Sequence, residues 1–219
     1  MDSQSPLLEK TYLLTPRDAD EAIEFFQKEH GDQQYILVIN HTIDHAKFED
    51  WVIPFQRICI AAGNSSAQVR AIKIIRPKSA VPESDCLMYR PLIRMSIPDF
   101  EKRNIHLDFE NFNLHEVQEL GKVKVKIRNL KLYVPSKRNY GCCSLWELNR
   151  FVERPEHLTL DNDVPLEVND LEMLEQWKER GTTVEVVGIR KVRQWGSEAV
   201  PAAYQDWPLE EKDNRCSSN

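Results

Sequence analysis

Short apolar segments alternate with longer amphipathic segments along most of this chain. The first apolar segment, "TYLL", is typical of a strand, and a helix is predicted to start after it at Thr15. The Thr15 hydroxyl can accept a free backbone N–H, proline at the next position suits the first turn, and Asp18 suits the positive helix end. Apolar residues then recur on one helical face, at Ala19, Ala22, Ile23 and Phe26.

The same strand–helix pattern recurs along the chain. Strands are predicted to start at positions 11, 36, 69, 104, 129, 157 and 183. Further helices are predicted within Phe48–Ala62, from Ser144, where Glu147 completes a capping box, and from Asn169 or Asp170. The pattern therefore predicts an α/β fold with seven strands.

The spacing of these strands indicates a repeat. Their starts are about 29 residues apart on average, and a period of roughly 20–50 residues is typical of solenoids. Two hexapeptides echo each other: "HLDFEN" at His106–Asn111 and "HLTLDN" at His157–Asn162 begin 51 residues apart, which fits two units of about 25. We predict that the two hexapeptides occupy equivalent positions in successive units.

The later strands alternate apolar and polar residues, as where Leu158 and Leu160 flank Thr159. Alternation predicts that one sheet face contacts water, whereas strands buried on both faces are continuously apolar. Only Tyr35–Ile39 has that continuously apolar character. The pattern favours a curved parallel sheet with helices on one side.

A family resemblance carries the same expectation. The segment "IRNLKL" at Ile127–Leu132 matches the leucine-rich-repeat core L-x-x-L-x-L, and both hexapeptides resemble its strand with a terminal asparagine. The stretch "NLKLYVPSKRNYGCCSLWELNRFVERPEHLTLDN" resembles the irregular leucine-rich repeats that follow F-box motifs in ubiquitin-ligase substrate receptors. The resemblance covers roughly residues 100–190, and no F-box-like helical segment precedes the repeats. It implies a leucine-rich-repeat-like sheet.

One segment leaves other folds open. Val123, Val125 and Ile127 alternate on odd positions, whereas Leu130 and the apolar residues after it alternate on even positions. A face switch between Ile127 and Leu130 requires a bulge or a turn. A compact layered α/β sandwich, and an α+β fold with "GKVKVKI" as a separate antiparallel strand, are therefore the alternatives.

The expected function follows from the predicted exposed strand face, because solenoids present such a surface to partners. We predict a non-enzymatic module that binds a protein partner through this face, with Tyr133 as the most plausible hot spot. The predicted outward residues are Lys73, His106, Asp108, Lys131, Tyr133, Thr159, Asp161 and Glu185.

The alternative function is a small-ligand or metal-dependent enzyme on a layered α/β sheet that uses "HTIDH". His41 and His45 are four residues apart, so they would share a face if the segment were helical, and Asp44 lies between them. No third ligand is identifiable, and Asp44 could equally cap a helix. Cys142 and Cys143 precede a capped helix, but no base can be assigned to them. No glycine-rich phosphate loop is present, and no cofactor is predicted.

Composition limits the classes of partner and the cellular locations that we expect. The net charge of −6 argues against nucleic-acid binding, which needs a basic surface. The polar start of the chain predicts no signal peptide, and no apolar run approaches the ~20 residues of a membrane span. Five cysteines without a Cys-x-x-Cys pair suit reduced thiols, so we expect an intracellular protein, in the cytoplasm or the nucleus.

The domain organisation is read from the same patterns. Residues 1–10 are predicted to be a leader, 11–195 a single α/β repeat-like domain, and 196–219 a disordered acidic tail with little periodicity. Within that tail, Tyr204, Trp207 and Leu209 could instead dock onto the domain or a partner. The sequence does not predict an oligomeric state.

Overall fold

The computed structural model describes most of the predicted elements. The described residues are 10–15, 17–31, 33–40, 42, 48–66, 68–78, 105–113, 117, 127–134, 145, 148, 154–194 and 199–210.

The first part of the chain alternates strands and helices, as predicted. Its elements are β1 (Lys10–Leu14), α1 (Ala19–Gln27), β2 (Gln34–Asn40), α2 (Phe48–Asn64) and β3 (Gln68–Ile75). The later elements are β4 (His106–Phe112), β5 (Ile127–Val134), β6 (His157–Asn162), β7 (Leu166–Glu167), α3 (Val168–Glu179), β8 (Thr183–Val186), β9 (Val192–Arg193) and a 3₁₀ turn (Ala202–Tyr204).

Seven strands form one parallel sheet in the order β1-β2-β3-β4-β5-β6-β8, and β7 pairs with β9 in a second, two-stranded sheet. The predicted strand starts all fall within about two residues of the observed ones. The protein is therefore an α/β protein with a seven-stranded parallel sheet. Within that sheet, every strand lies beside its neighbours in the order of the chain.

The core lies against one face of this sheet. Strand register aligns one row of apolar side chains across all seven strands: Leu14, Ile39, Ile74, Phe109, Leu130, Leu158 and Val184. Phe26 of α1, Ile58 of α2 and Trp177 of α3 belong to the same buried cluster. The three described helices thus pack on this face, which leaves the opposite face to carry the polar positions of the alternating pattern.

The predicted face switch in β5 is a β-bulge. Ile127 pairs with Leu107, but Asn129 pairs with the next residue, Asp108, so that Arg128 is the extra residue. Ile127 and Leu130 are therefore both buried although they lie three positions apart. The segment 121–126 lies outside the described residues.

The N-caps of α1 and α3 both differ from the predicted ones. For α1 the cap is Asp18, not Thr15, so the helix begins at Ala19, later than predicted; the Thr15 hydroxyl nevertheless accepts the backbone N–H of Asp18 at 3.2 Å. For α3 the cap is Glu167, not Asn169 or Asp170. The Asp170 carboxylate accepts the Glu167 N–H at 3.2 Å, so an acid three residues after the cap supports it from inside the helix. The predicted Ser144–Glu147 capping box lies outside the described residues.

The predicted disorder after residue 196 is wrong for residues 199–210, which we call the C-terminal strap. Tyr204 in the strap is only 3% exposed, and its ring packs against Trp207. The Val192 N–H donates to the Pro208 carbonyl at 3.0 Å, and the Glu210 N–H donates to the Val192 carbonyl at 2.8 Å. Two aromatic side chains and a backbone ladder hold the strap, and neither of them requires a periodic sequence.

The described part of the chain contains no helix that is both long and apolar enough to cross a membrane.

Candidate functional site: the outer face of the sheet

The sheet face opposite the helices, which we call the outer face, carries all eight predicted binding residues. Register aligns Lys73 with Asp108, Lys131 with Thr159 and Glu185, and Tyr133 with Asp161. His106 lies two residues before Asp108, and side chains two positions apart on a strand share a face. The alternation of the strands therefore placed these side chains on one face.

The two echoing hexapeptides, however, do not lie at equivalent positions along their strands. Asn129 of β5 pairs with Asp108 on one side and with His157 on the other, so His157 aligns with Asp108 and not with His106. The two hexapeptides are thus offset by two residues along the strands. An even offset keeps both histidines on the outer face, but they belong to different rows.

The terminal asparagines of the hexapeptides also differ. The Asn111 amide donates to the Arg76 carbonyl at 2.9 Å, and its φ is 62°, where asparagine is one of the better tolerated residues. The Asn162 amide donates to the Val164 and Ile189 carbonyls, each at 2.7 Å. Asn111 therefore bonds the chain that follows an earlier strand, whereas Asn162 bonds the chain that follows a later one.

Opposite charges pair at the centre of the outer face. The Glu110 carboxylate is 2.6 Å from the Lys73 ammonium and 3.4 Å from the Lys131 ammonium. Burial alone would raise the pKa of Glu110, but the hydrogen bonds and charges of Lys73 and Lys131 outweigh it and lower that pKa below 4.5. One carboxylate thus lies between two ammonium groups, so this cluster keeps one net positive charge.

Asp108 holds the β5 bulge in place. Its carboxylate, on a residue only 4% exposed, accepts bonds from Arg128 Nη2 at 2.8 Å, from Arg128 Nε at 3.3 Å and from the Asn129 N–H at 3.2 Å. The extra residue of the bulge and the residue after it thus share one acceptor. Asp108 lies on the predicted face, but it is buried and its carboxylate is occupied by these internal bonds, so the prediction that it is exposed is wrong.

Tyr133 is held from two sides near the carboxyl ends of the strands. Its hydroxyl donates to Asp163 at 2.6 Å, and this bond, with burial and the nearby carboxylates, raises the pKa of Tyr133 to about 12. The Lys78 ammonium lies 5.6 Å from the ring centroid and 2.5 Å from the Asp161 carboxylate. The ring is therefore fixed in orientation while it remains partly exposed.

The β6 and β8 side of the outer face carries exposed polar side chains. His157, Thr183 and Glu185 are exposed, and Thr159 between them is half-buried. The opposite end is apolar, since Leu13 is 48% exposed and Val38 beside it is buried outside the main core. The outer face is thus apolar at β1 and β2, carries ion pairs at its centre, and is polar and exposed at β6 and β8.

Several residues of this face were not predicted from the sequence. Glu110 had a usable signal, because it stands two positions after Asp108 and so shares its face. Arg128 had none, because its place on this face depends on the bulge. Lys78 follows β3 by three residues, and only the folded chain brings it to Asp161 on β6.

Replacing Glu110 with glutamine should lower the free energy of unfolding at pH 7 by about 0.5–1 kcal/mol, because two partly exposed ion pairs are lost. A lowered pKa in the folded state means that the carboxylate stabilises the fold above its ordinary pKa and ceases to do so as pH falls through the lowered value. The difference between the two proteins should therefore shrink below about pH 4.5. Urea denaturation at pH 7 and pH 3.5 measures it. An equal difference at both pH values would contradict the assigned role.

The sites of the alternative function cannot be placed in the same way. His41, Asp44 and His45 lie outside the described residues, and so do Cys142 and Cys143. Among the residues that the structure does describe, no three His, Cys, Asp or Glu side chains are grouped so that they could hold a metal ion.

Fold and face together define a class: an α/β protein with sequentially ordered parallel strands, whose three described helices pack on one sheet face while polar side chains lie on the other. Comparison of the chain with protein-family models, with curated proteins and with solved structures found no match.

Proposed function

We propose that this chain is a non-enzymatic module that binds a protein partner through the outer face of its sheet. The observation that carries the proposal is the register of β3, β4, β5, β6 and β8, which gathers the eight predicted side chains on one face. Exposed polar side chains next to a fixed tyrosine provide hydrogen-bonding groups and an aromatic anchor, which protein interfaces favour.

The proposal includes a leucine-rich-repeat-like solenoid as its scaffold. Leu158 pairs with Val184 in the main sheet, and Leu166 pairs with Val192 in the second sheet; both pairs are 26 residues apart. Stacked turns of a coil produce the same sequence separation between paired residues in two separate ladders. The sequential strand order supports the same interpretation, because right-handed connections between such strands all lie on one face of the sheet.

Tyr133 is the proposed centre of the interface. Its hydroxyl is bonded to Asp163 and its ring is close to Lys78, so binding would cost little additional side-chain entropy. Thr159 lies on β6, the strand next to that of Tyr133, two residues before Asp161, which pairs with Tyr133. A longer side chain at Thr159 would project from the middle of the polar end of the outer face. Thr159 is therefore the position for a disruptive substitution.

The test compares Thr159→Arg with a matched control, Glu172→Arg, on the exposed side of α3. Proteins captured by the wild-type chain from its native cells are quantified by mass spectrometry, and the affinity of each purified candidate is then measured by calorimetry. We expect Thr159→Arg to weaken partner binding at least tenfold and Glu172→Arg to leave it unchanged. A partner bound equally well by Thr159→Arg and by Tyr133→Ala would refute the outer face as the binding surface.

A further inference from the structure

The seven-stranded sheet ends on β8, and the free side of that strand has the properties of a binding edge. The N–H groups of Thr183, Val187 and Ile189 donate to the carbonyls of Glu156, Leu160 and Asn162, at 2.9, 2.8 and 2.7 Å. The pairing with β6 thus continues beyond Val186 over the segment from Thr183 to Ile189, in which the chain bends at Gly188. We call the side of this segment that faces away from β6 the β8 edge.

Backbone groups at the β8 edge point away from the sheet. Since alternate residues of a strand direct their N–H and C=O groups to opposite sides, those of Val184 and Val186 face away from β6. The Val186 carbonyl confirms this direction, because it accepts a bond from Arg190 Nη2 at 3.1 Å. No further strand pairs with β8 within the described ranges. The edge therefore keeps an open row of donors, with Arg190 lying over one acceptor.

Side chains beside this row suit a particular kind of strand. Val187 is 56% exposed and Ile189 is 39% exposed, although both are large apolar residues. Glu185 is exposed on the same face and forms no ion pair with any described residue. A strand laid along the edge would cover the two apolar side chains and could place a cation opposite Glu185, a cross-strand pair that stabilises a sheet.

We propose that the β8 edge binds an extended, mainly apolar segment of a partner protein that carries a basic residue opposite Glu185. The segment adds to the sheet as an eighth strand, with main-chain bonds to Val184 and Val186, and displaces the Arg190 side chain from the Val186 carbonyl.

A second copy of this chain fits the edge less well. If two β8 edges paired about a two-fold axis at Val186, the two Glu185 side chains would be diagonal neighbours, and an axis at Glu185 would set them directly opposite. Like charges at these positions are unfavourable. A partner with a basic residue satisfies the carboxylate that a second copy would repel. This site shares Glu185 with the interface of the proposed function, but its main-chain bonds lie at the edge of the sheet and not on its face. Val184→Pro therefore tests the edge separately from Thr159→Arg, which tests the face.

The experiment uses the full chain and two fluorescent heptapeptides of alternating threonine and valine. One has lysine at its central position and the other has glutamate. We expect saturable binding of the lysine peptide by fluorescence anisotropy, and binding of the glutamate peptide at least tenfold weaker. Glu185→Lys should reverse this preference, Arg190→Ala should tighten binding severalfold, and Glu172→Lys, on the exposed side of α3, should change nothing.

The main-chain part of the proposal is tested by Val184→Pro. Proline removes an outward N–H without removing a bond to β6, so an edge strand tolerates it, and binding should weaken at least tenfold. Circular dichroism checks that this variant is folded; if it is not, the charge reversal at Glu185 decides alone. The proposal is overturned if the lysine peptide does not bind, or if charge reversal and a folded Val184→Pro leave binding unchanged. It is also overturned if sedimentation shows wild-type dimers that Val184→Pro or Glu185→Lys converts to monomers.

Discussion

Gly188→Ala is expected to lower the free energy of unfolding by about 3 kcal/mol, the upper part of the range for forced overpacking. A Cβ atom at Gly188 would lie 2.0 Å from the backbone oxygen and 2.4 Å from the backbone nitrogen of Asn162. Both are main-chain atoms of β6, so no side chain can turn away to make room. The segment that follows β8, in which the Ile189 N–H donates to the Asn162 carbonyl at 2.7 Å, would have to shift as a whole.

The measurement is urea denaturation of the variant beside Gly31→Ala. Gly31 has a φ of 56°, which an alanine adopts at a cost of about 1–2 kcal/mol, but a Cβ atom there would meet nothing within 4 Å. The comparison separates backbone conformation from collision. A loss at Gly188 no greater than the loss at Gly31 would show that the close approach to Asn162 is not maintained in solution.

Asn162→Ala is expected to cost about 2–3 kcal/mol. The side chain is completely buried, and its amide bonds the Val164 and Ile189 carbonyls at 2.7 Å each. Alanine leaves the buried Val164 carbonyl and the less buried Ile189 carbonyl without this donor, and each lost bond costs roughly 1–3 kcal/mol. The loss is smaller than the sum of the two, because Asn162 Oδ1 is itself buried without a partner among the described residues and alanine removes it.

Thermal or urea denaturation measures this loss, and Asn169→Ala is the matched control. Asn169 is exposed on α3, so its truncation should change the free energy of unfolding by less than about 0.5 kcal/mol. Asn162→Ala and Gly188→Ala affect the same contact between β6 and the chain after β8. Their combined effect should therefore be less than additive. A loss below about 1 kcal/mol for Asn162→Ala would mean that water replaces the amide at little cost.

Strands and faces of this protein are largely predictable from its sequence. Alternation has a period of two, so a residue such as Thr159 between Leu158 and Leu160 is assigned to the outer face without knowing its neighbours. The face switch at Ile127 was visible for the same reason, because a break in the alternation requires an extra residue. The predicted sheet face of these residues is thus correct even where the predicted register of the strand is wrong.

The register between neighbouring strands was not predictable. The match between the two hexapeptides suggested that His106 and His157 are equivalent, yet Asn129 pairs His157 with Asp108. Register depends on the segments that connect the strands and on the Arg128 bulge, and a hexapeptide contains information on neither. The use of each side chain was hidden in the same way, since Asp108 was a candidate for binding a partner and is instead bonded to Arg128.

The C-terminal strap shows a further limit of periodicity. Tyr204 is anchored by its own burial and by a 3.0 Å bond from the Lys178 ammonium, and these contacts join residues 26 positions apart. A polar, aperiodic segment with two aromatic residues looks the same in sequence whether or not such a site exists elsewhere. Only the folded surface of α3 and β9 supplies the site.

By itself, the sequence determined the α/β class, the positions of the strands and the face that each strand residue occupies, because these follow from local alternation and periodicity. Tertiary structure alone decided the register between strands, the pairing of Glu110 with two lysines, the close contact of Gly188 with Asn162 and the open edge at β8. Each of these depends on the distance between residues that are remote in the chain, and that distance is set only when the strands pack.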